Sequence, residues 1–184
     1  MPNANLPFSI PLPKIYFEMG PIRQNIYNLI VDSPGLHFRE LQRRTKMATG
    51  CLQYHLEYMK NRALLSTIND GQYLRFYPDL SISMEERRVL EFARLQSTRH
   101  ILIYIMENGN SSHEIIVKNI DLSPSTISWH LKKLVKAKVV IRLADGRRAF
   151  FKVSNPELVL RVLSTYKTSF LDNLVNNFIE MWDK

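Results

Sequence analysis

The hydrophobic pattern of this chain is written twice. Residues 23–77 align without a gap on residues 98–152. Ile26 falls on Ile101, Ile30 on Ile105, His55-Leu56 on His130-Leu131, Asp70-Gly71 on Asp145-Gly146, and Phe76 on Phe151. Apolar character agrees where identity does not, at Leu41/Ile116, Met47/Leu122, Leu52/Ile127, Met59/Leu134 and Leu64/Val139. Seven identities in 55 positions are few. A gapless register that keeps the apolar pattern, the turn and the His-Leu pair together is much harder to reach by chance. A repeat of this length is a whole small domain and not a solenoid unit.

The same elements are predicted in each copy. In the first, a helix starts after Gly20-Pro21, with Ile22, Ile26, Leu29 and Ile30 on one face, and stops at Ser33-Pro34-Gly35. Phe38 to Arg44 is a short second helix and Thr45 to Thr49 the turn. Thr49 caps a third helix whose buried edge is Leu52, Leu56 and Met59. Leu64–Ile68 and Tyr73–Tyr77 are strands around Asn69-Asp70-Gly71, and Asp-Gly suits a hairpin tip. In the second copy a helix runs from Ser97 or Thr98 to Glu107 and ends at Asn108-Gly109-Asn110. Glu114 to Asn119 follows as the second helix. Ser123 caps the third, with Pro124 in the first turn, where its missing N–H costs nothing. Its buried edge is Ile127, Leu131 and Leu134. Val139–Leu143 and Ala149–Val153 are strands around Asp145-Gly146. Three helices followed by strand, turn and strand make a winged helix-turn-helix.

The pattern predicts a mainly α fold with small β-wings: two tandem winged helix-turn-helix domains joined by a linker helix, plus C-terminal helices. Residues 1–20 form an arm in which Pro2, Pro7, Pro11 and Pro13 exclude a helix. Its apolar residues, among them Ile15, Tyr16 and Phe17, are expected to pack on the body or on a second subunit, a free tail being the alternative. Domain 1 spans 21–80. The linker helix, 81–96, opens at a capping box of Ser83 and Glu86 and carries Val89, Leu90, Phe92 and Ala93 on its apolar side. Domain 2 spans 97–154, and helices at Leu158–Leu163 and Ser169–Trp182 fill 155–184. The apolar face from Phe170 to Trp182 is wider than one small module needs. It suggests a partner helix from the other module or a second subunit; a ligand pocket is the other reading.

Charge narrows the function. The net charge is +8 in 184 residues and the pI is near 9.7, which points to an anionic partner. The surplus is clustered. Lys118 to Lys152 holds nine Lys/Arg against two acids, and Arg39 to Arg62 six against two. These are the parts of each copy that would face DNA. The single cysteine, Cys51, excludes an internal disulfide or a thiolate metal cluster. No apolar run is long enough for a membrane span, and no start resembling a signal peptide is present, so a soluble cytoplasmic protein is expected. There is no glycine-rich phosphate loop, no HExxH, no paired carboxylates in an apolar setting and no nucleophile with a plausible base. Neither an enzyme nor a cofactor is expected. His37, His55, His100, His113 and His130 show no ligand spacing, so no metal site is expected.

A recognition helix buries one edge and offers the other to the major groove. Removing the buried edges leaves Thr49, Gly50, Gln53, Tyr54 and Glu57 in domain 1. In domain 2 it leaves Ser125, Thr126, Ser128, Trp129 and Lys132. Gln53 can pair with adenine, and serine or threonine with either kind of base edge. Lys133 and Lys136 are placed for phosphates. Tyr54 and Trp129 match in the repeat and either pack onto the second helix or touch DNA. The second wing, Asp145-Gly146-Arg147-Arg148, suits phosphates or a minor groove. The first, Asp70-Gly71-Gln72-Tyr73, has only Arg75 nearby. Domain 2 is therefore expected to bind DNA more strongly, with domain 1 either contributing through Arg39, Arg43, Arg44 and Lys46 or acting mainly in assembly. Cys51, in the first turn of a recognition helix, is a possible redox switch, with a small half-buried residue as the plainer reading.

Gly35-Leu36-His37-Phe38-Arg39-Glu40-Leu41, followed by Tyr54-His55-Leu56, resembles archaeal transcription regulators with two tandem winged helices. Ser123-Pro124-Ser125-Thr126-Ile127-Ser128-Trp129-His130-Leu131 resembles the recognition helix of ArsR-like and MarR-like winged-helix proteins. The resemblance covers about residues 22–153. It implies sequence-specific binding of double-stranded DNA, often as a dimer, with Ser125, Thr126 and Ser128 in the family's Ser-Thr-x-Ser positions. Gly50, Cys51 and Gln53 depart from that pattern in domain 1. The expected function is a transcription regulator, a homodimer, with third helices in major grooves ~34 Å or a multiple apart. Any small-molecule effector is not specified. A protein-assembly module and an RNA or single-strand binder are the alternatives.

Overall fold

Gly20-Pro21 starts the first long helix as its sequence demands, because proline in the first turn loses no hydrogen bond and arrives with a helical φ. The computed structural model describes residues 13–79, 82–146, 148–170 and 173–182. The chain divides into two units, Met1–Arg87 and Arg88–Lys184.

Unit 1 contains α1 (Lys14–Glu18), α2 (Pro21–Asp32), β1 (Leu36–His37), α3 (Phe38–Thr45), α4 (Thr49–Asn61), β2 (Leu65–Asn69) and β3 (Leu74–Pro78). The strands form an antiparallel sheet in the order β1-β3-β2, with Leu36 and Thr67 flanking Phe76. His37 caps α3. Its Nδ1 accepts from the Glu40 amide, and the Glu40 carboxylate accepts from the His37 amide. The core joins Ile26, Tyr27, Ile30 and Val31 of α2 to Leu41 of α3 and Leu52, Leu56 and Met59 of α4. Full burial of each such side chain is worth about 1.5–3 kcal/mol.

The helix α5 (Met84–Ala93) contains the boundary between the units. Its start carries the expected capping box: the Ser83 amide donates to Glu86 at 2.9 Å and the Glu86 amide to Ser83 Oγ at 3.2 Å. Arg87 is buried and fastens this start to unit 1 by donating to Ser66 Oγ at 2.7 Å and to the Asp79 carbonyl at 2.8 Å.

Unit 2 repeats the order with α6 (Gln96–Asn108), β4 (Ser111–Ser112), α7 (His113–Asn119), α8 (Pro124–Lys136), β5 (Val140–Asp145) and β6 (Arg148–Val153). It continues with α9 (Pro156–Thr165), α10 (Lys167–Phe170) and α11 (Asn173–Trp182). The sheet order is β4-β6-β5. Asn155 caps α9 by accepting from the Leu158 amide at 3.0 Å.

Several expectations change. The arm is not free of helix: α1 starts directly after Pro13, where proline is harmless, and Ile15 and Tyr16 pack on the unit 1 core. Phe17 points to solvent, and the arm's residues 1–12 lie outside the described residues. Ile22 is 53% exposed, and Tyr27 and Val31 take its place on the buried side of α2. The described parts of the expected C-terminal helix, Lys167–Phe170 and Asn173–Trp182, are helical, and 171–172 lie outside the described residues. The partner helix expected from another module or subunit is supplied within unit 2. There, α11 packs on α6 and α9, and Val175, Phe178 and Ile179 are buried. That covers the middle of the face, while Leu174 stays exposed. The side chain of Trp182 lies outside the described residues.

Candidate nucleic-acid interface

Both third helices bury one edge and leave the opposite side open. On α4, Leu52, Leu56 and Met59 are buried, while Thr49, Gly50, Cys51, Gln53, Tyr54 and Glu57 are exposed. On α8, Ile127, His130, Leu131 and Leu134 are buried. Ser125, Ser128, Trp129, Lys132, Lys133 and Lys136 are exposed, and Thr126 is half-buried. The two helices are held differently at their starts. Ser123 caps α8, accepting from the Thr126 amide at 3.2 Å and meeting the Ser125 and Thr126 hydroxyls at 3.0 and 2.8 Å. The start of α4 departs from expectation: the cap position is Ala48, with no side-chain hydrogen bond, and Thr49 is already helical. The Thr49 hydroxyl instead accepts from Gln42 Nε2 at 2.8 Å, tying α4 to α3.

Tyr54 and Trp129 face solvent, 62% and 52% exposed, which removes packing on the second helix as their role. Each has a cation nearby. Lys133 Nζ lies 4.0 Å from the Trp129 ring centre, and Arg23 lies over Tyr58 at 3.7 Å and reaches Tyr54 at 5.8 Å. Such contacts between a cation and a ring face are attractive. Ser128 is committed: its hydroxyl is 2.7 Å from His113 Nε2, which links α8 to α7.

The basic residues separate into two kinds. Arg39, Arg43, Lys46, Lys132, Lys133, Lys136 and Arg148 are exposed. Arg44 is half-buried and donates to Ser33 Oγ at 3.1 Å. Arg147 lies outside the described residues. Arg75, expected to contact a DNA backbone, is corrected: it is 3% exposed. Its Nε donates to Asp70 Oδ2 at 2.5 Å and its Nη1 to the Gly35 carbonyl at 2.9 Å. The same Asp70 accepts from the Gln72 and Tyr73 amides at 2.8 and 2.6 Å. Burial alone would raise the Asp70 carboxyl, but these donors and the Arg75 charge outweigh it and hold it below the usual carboxylate range. Arg75 shapes the first wing from inside and has no reach to a phosphate.

His55 and His130 occupy matching positions, and each has a buried Nδ1 with no hydrogen-bond partner among the described residues. Burial lowers both imidazoles, reinforced by Arg23 beside His55 and Lys133 beside His130. Both shifts favour the neutral ring. Among the described residues no group of His, Cys, Asp or Glu could hold a metal, and no helix is long and apolar enough to cross a membrane. Three residues to which the sequence reading gave no part in the interface matter here: Arg23, through its ring contacts, His113, through Ser128, and Arg142 on β5. Arg142 sits inside the Lys118–Lys152 basic cluster and was legible there. His113 had no sequence signal.

Comparison with known proteins agrees with this geometry. A family model described as an N-terminal HTH domain matches residues 21–90, and one described as winged helix-turn-helix DNA-binding matches residues 94–141. A protein of Methanocaldococcus jannaschii described as an uncharacterized HTH-type transcriptional regulator is 26% identical over 136 residues. The match covers 74% of this chain, which spans about a third, 34%, of that relative's length. A chain in the structure of the ESCRT-II endosomal trafficking complex aligns over 78% of this chain and 66% of its own length at 14% identity, with a TM-score of 0.29, too low to carry an argument. The chain is a tandem helix-turn-helix protein, with an N-terminal HTH domain followed by a winged helix-turn-helix domain.

Proposed function

We propose that this protein is a sequence-specific, double-stranded DNA-binding transcription regulator in which unit 2 supplies most of the affinity. One observation carries the reading. The side of α8 opposite its buried edge presents Ser125, Trp129, Lys132, Lys133 and Lys136 to solvent, next to a wing bearing Arg148. Hydroxyls and lysines on an exposed helix face suit base edges and phosphates, and an arginine at a hairpin tip suits the backbone. The relative's description as a transcriptional regulator supports the same reading.

Unit 1 offers less. Glu57 on α4 repels phosphate, Arg75 is committed inside the wing, and of its cations expected to face DNA only Arg39, Arg43 and Lys46 are exposed among the described residues. Base reading by Gln53 and Tyr54 is part of the proposal. A second reading, binding of single-stranded RNA, draws on the exposure of Trp129 and Tyr54, since stacking platforms need open aromatic faces.

The test is fluorescence anisotropy of the full chain with promoter duplex, competed by scrambled duplex and by single-stranded RNA. Resistance to both competitors supports the reading, and displacement by RNA at equal concentration favours the second. Sedimentation of the same complex reports whether one copy or two are bound.

A further inference from the structure

Between α7, α8 and the second wing lies a cleft of about 260 Å³. Its apolar floor is Leu131, Val135 and Phe151, and its rim carries Ser128, Lys132 and Arg142, with His113 behind Ser128. Arg142 and Phe151 are direct partners across β5 and β6, so Arg142 stands beside the ring on the same face of the sheet. Lys132 and Arg142 are exposed, and no ion pair with an acid engages either among the described residues.

The repeat shows that this chemistry is not required by the fold. The positions matching Ser128, Lys132, Val135 and Arg142 are Gln53, Glu57, Lys60 and Thr67, and the one matching His113 is Phe38. Unit 1 therefore has an acid where unit 2 has one cation and a neutral threonine where it has the other. At these matched positions, and among the described residues, only unit 2 sets two cations without an ion pair above an apolar floor.

We propose that this cleft binds a small amphipathic anion, a carboxylate or phosphate monoester on an apolar body of about ten non-hydrogen atoms. That size follows from a cavity just under the usual range for ligand sites, ~300–1,000 Å³. The apolar body covers Leu131, Val135 and Phe151, the anionic head meets Lys132 and Arg142, and Ser128 with His113 offers a hydrogen bond. Lys132 also belongs to the exposed face of α8, so an occupied cleft neutralises part of the face offered to DNA. Ligand and duplex then compete. This regulatory half rests on the proposed DNA-binding function; the ligand site does not.

The test uses the full chain with 3-phenylpropionate, hexanoate and phenyl phosphate as probes, and with 3-phenylpropionamide and inorganic phosphate as controls. Calorimetry without DNA is expected to show binding of at least one probe, with the amide and inorganic phosphate at least tenfold weaker. Arg142→Gln, an exposed change that leaves the core alone, weakens that probe at least tenfold. Val135→Phe fills the cleft and abolishes probe binding while the duplex Kd stays within twofold. Saturating probe raises the wild-type duplex Kd at least fivefold.

No heat from any probe at 5 mM overturns the site, as does equal binding of acid and amide or an unchanged affinity in Arg142→Gln. Inorganic phosphate binding as tightly as the probes means that the cleft is only a seat for a duplex phosphate, and also overturns it. Probe binding that leaves the duplex Kd unchanged overturns the competition. Probe binding by a protein that binds no duplex upholds the site and refutes the DNA-binding reading instead.

Discussion

Arg75 and Arg148 both stand next to a wing, yet their substitution should fail in opposite ways. Arg75→Ala removes the 2.5 Å contact to Asp70 and the 2.9 Å bond to the Gly35 carbonyl, leaving that carbonyl and a carboxylate beneath the wing short of a donor. Breaking a buried ion pair by removing one partner costs about 3–5 kcal/mol. Asp70 keeps two backbone donors, from Gln72 and Tyr73, so the lower end applies, about 3 kcal/mol. At roughly 2–8 °C per kcal/mol for domains of these sizes, the melting temperature falls by at least ~6 °C. DNA affinity, measured well below melting, stays within about twofold, because Arg75 reaches no phosphate.

Arg148→Ala does the reverse. Its side chain is exposed, so melting shifts by little, as for most surface changes. One lost phosphate contact lowers the slope of log affinity against log salt by ~0.9. The assay pairs differential scanning fluorimetry with anisotropy titrations at four salt concentrations. If Arg75→Ala lowers the salt slope as much as Arg148→Ala does and melting is unchanged, the placement of Arg75 inside the wing is wrong. The Asp70–Arg75 pair also carries a pH signature. The Asp70 carboxyl is held below its usual value, so its stabilisation is present above about pH 4 and is lost as pH falls through the lowered value. Arg75→Ala should show less of this acid loss.

Other outcomes follow from the same geometry. Ser123→Ala removes the α8 cap and costs about 1 kcal/mol, read as a lower melting temperature; a Thr49→Ala change should cost less, since Thr49 caps nothing. Combined Lys132→Ala/Arg148→Ala should weaken duplex binding more than Arg39→Ala/Arg43→Ala does, and the opposite order would move the main interface to unit 1. His55 and His130 have imidazoles lowered by burial, so the unfolded chain binds protons first as pH falls below about 6.5. Melting temperature should therefore drop from pH 7.5 to 5.5, and the drop should shrink in a His55→Leu/His130→Leu variant; an unchanged drop would assign it to other groups.

The third helices were legible because their buried edges are triplets at helical spacing, Leu52/Leu56/Met59 and Ile127/Leu131/Leu134, with polar residues between them. Ser123-Pro124 likewise names its own position. The two-residue strands Leu36–His37 and Ser111–Ser112 were not legible, since two residues carry no period. Arg75 misled because strand alternation gives a side, whereas its fate depends on Asp70 folding back under the turn. The C-terminal face misled because its cover lies far away in sequence. The signal was Ile101-Leu102-Ile103, a run buried all round, which means that α6 packs on two sides. Tyr54 and Trp129 could not be placed from sequence, because an aromatic beside a buried edge can turn either way. Which exposed side chains meet a base depends on a duplex that the sequence does not contain.

The most direct test of the central claim is the anisotropy titration of the full chain against promoter duplex across a salt series, with scrambled duplex as competitor. The account predicts tight binding that weakens steeply with salt, resists the scrambled competitor and loses slope on substitution of Lys132 and Arg148. Weak binding, equal for both duplexes and unchanged in those variants, would contradict it.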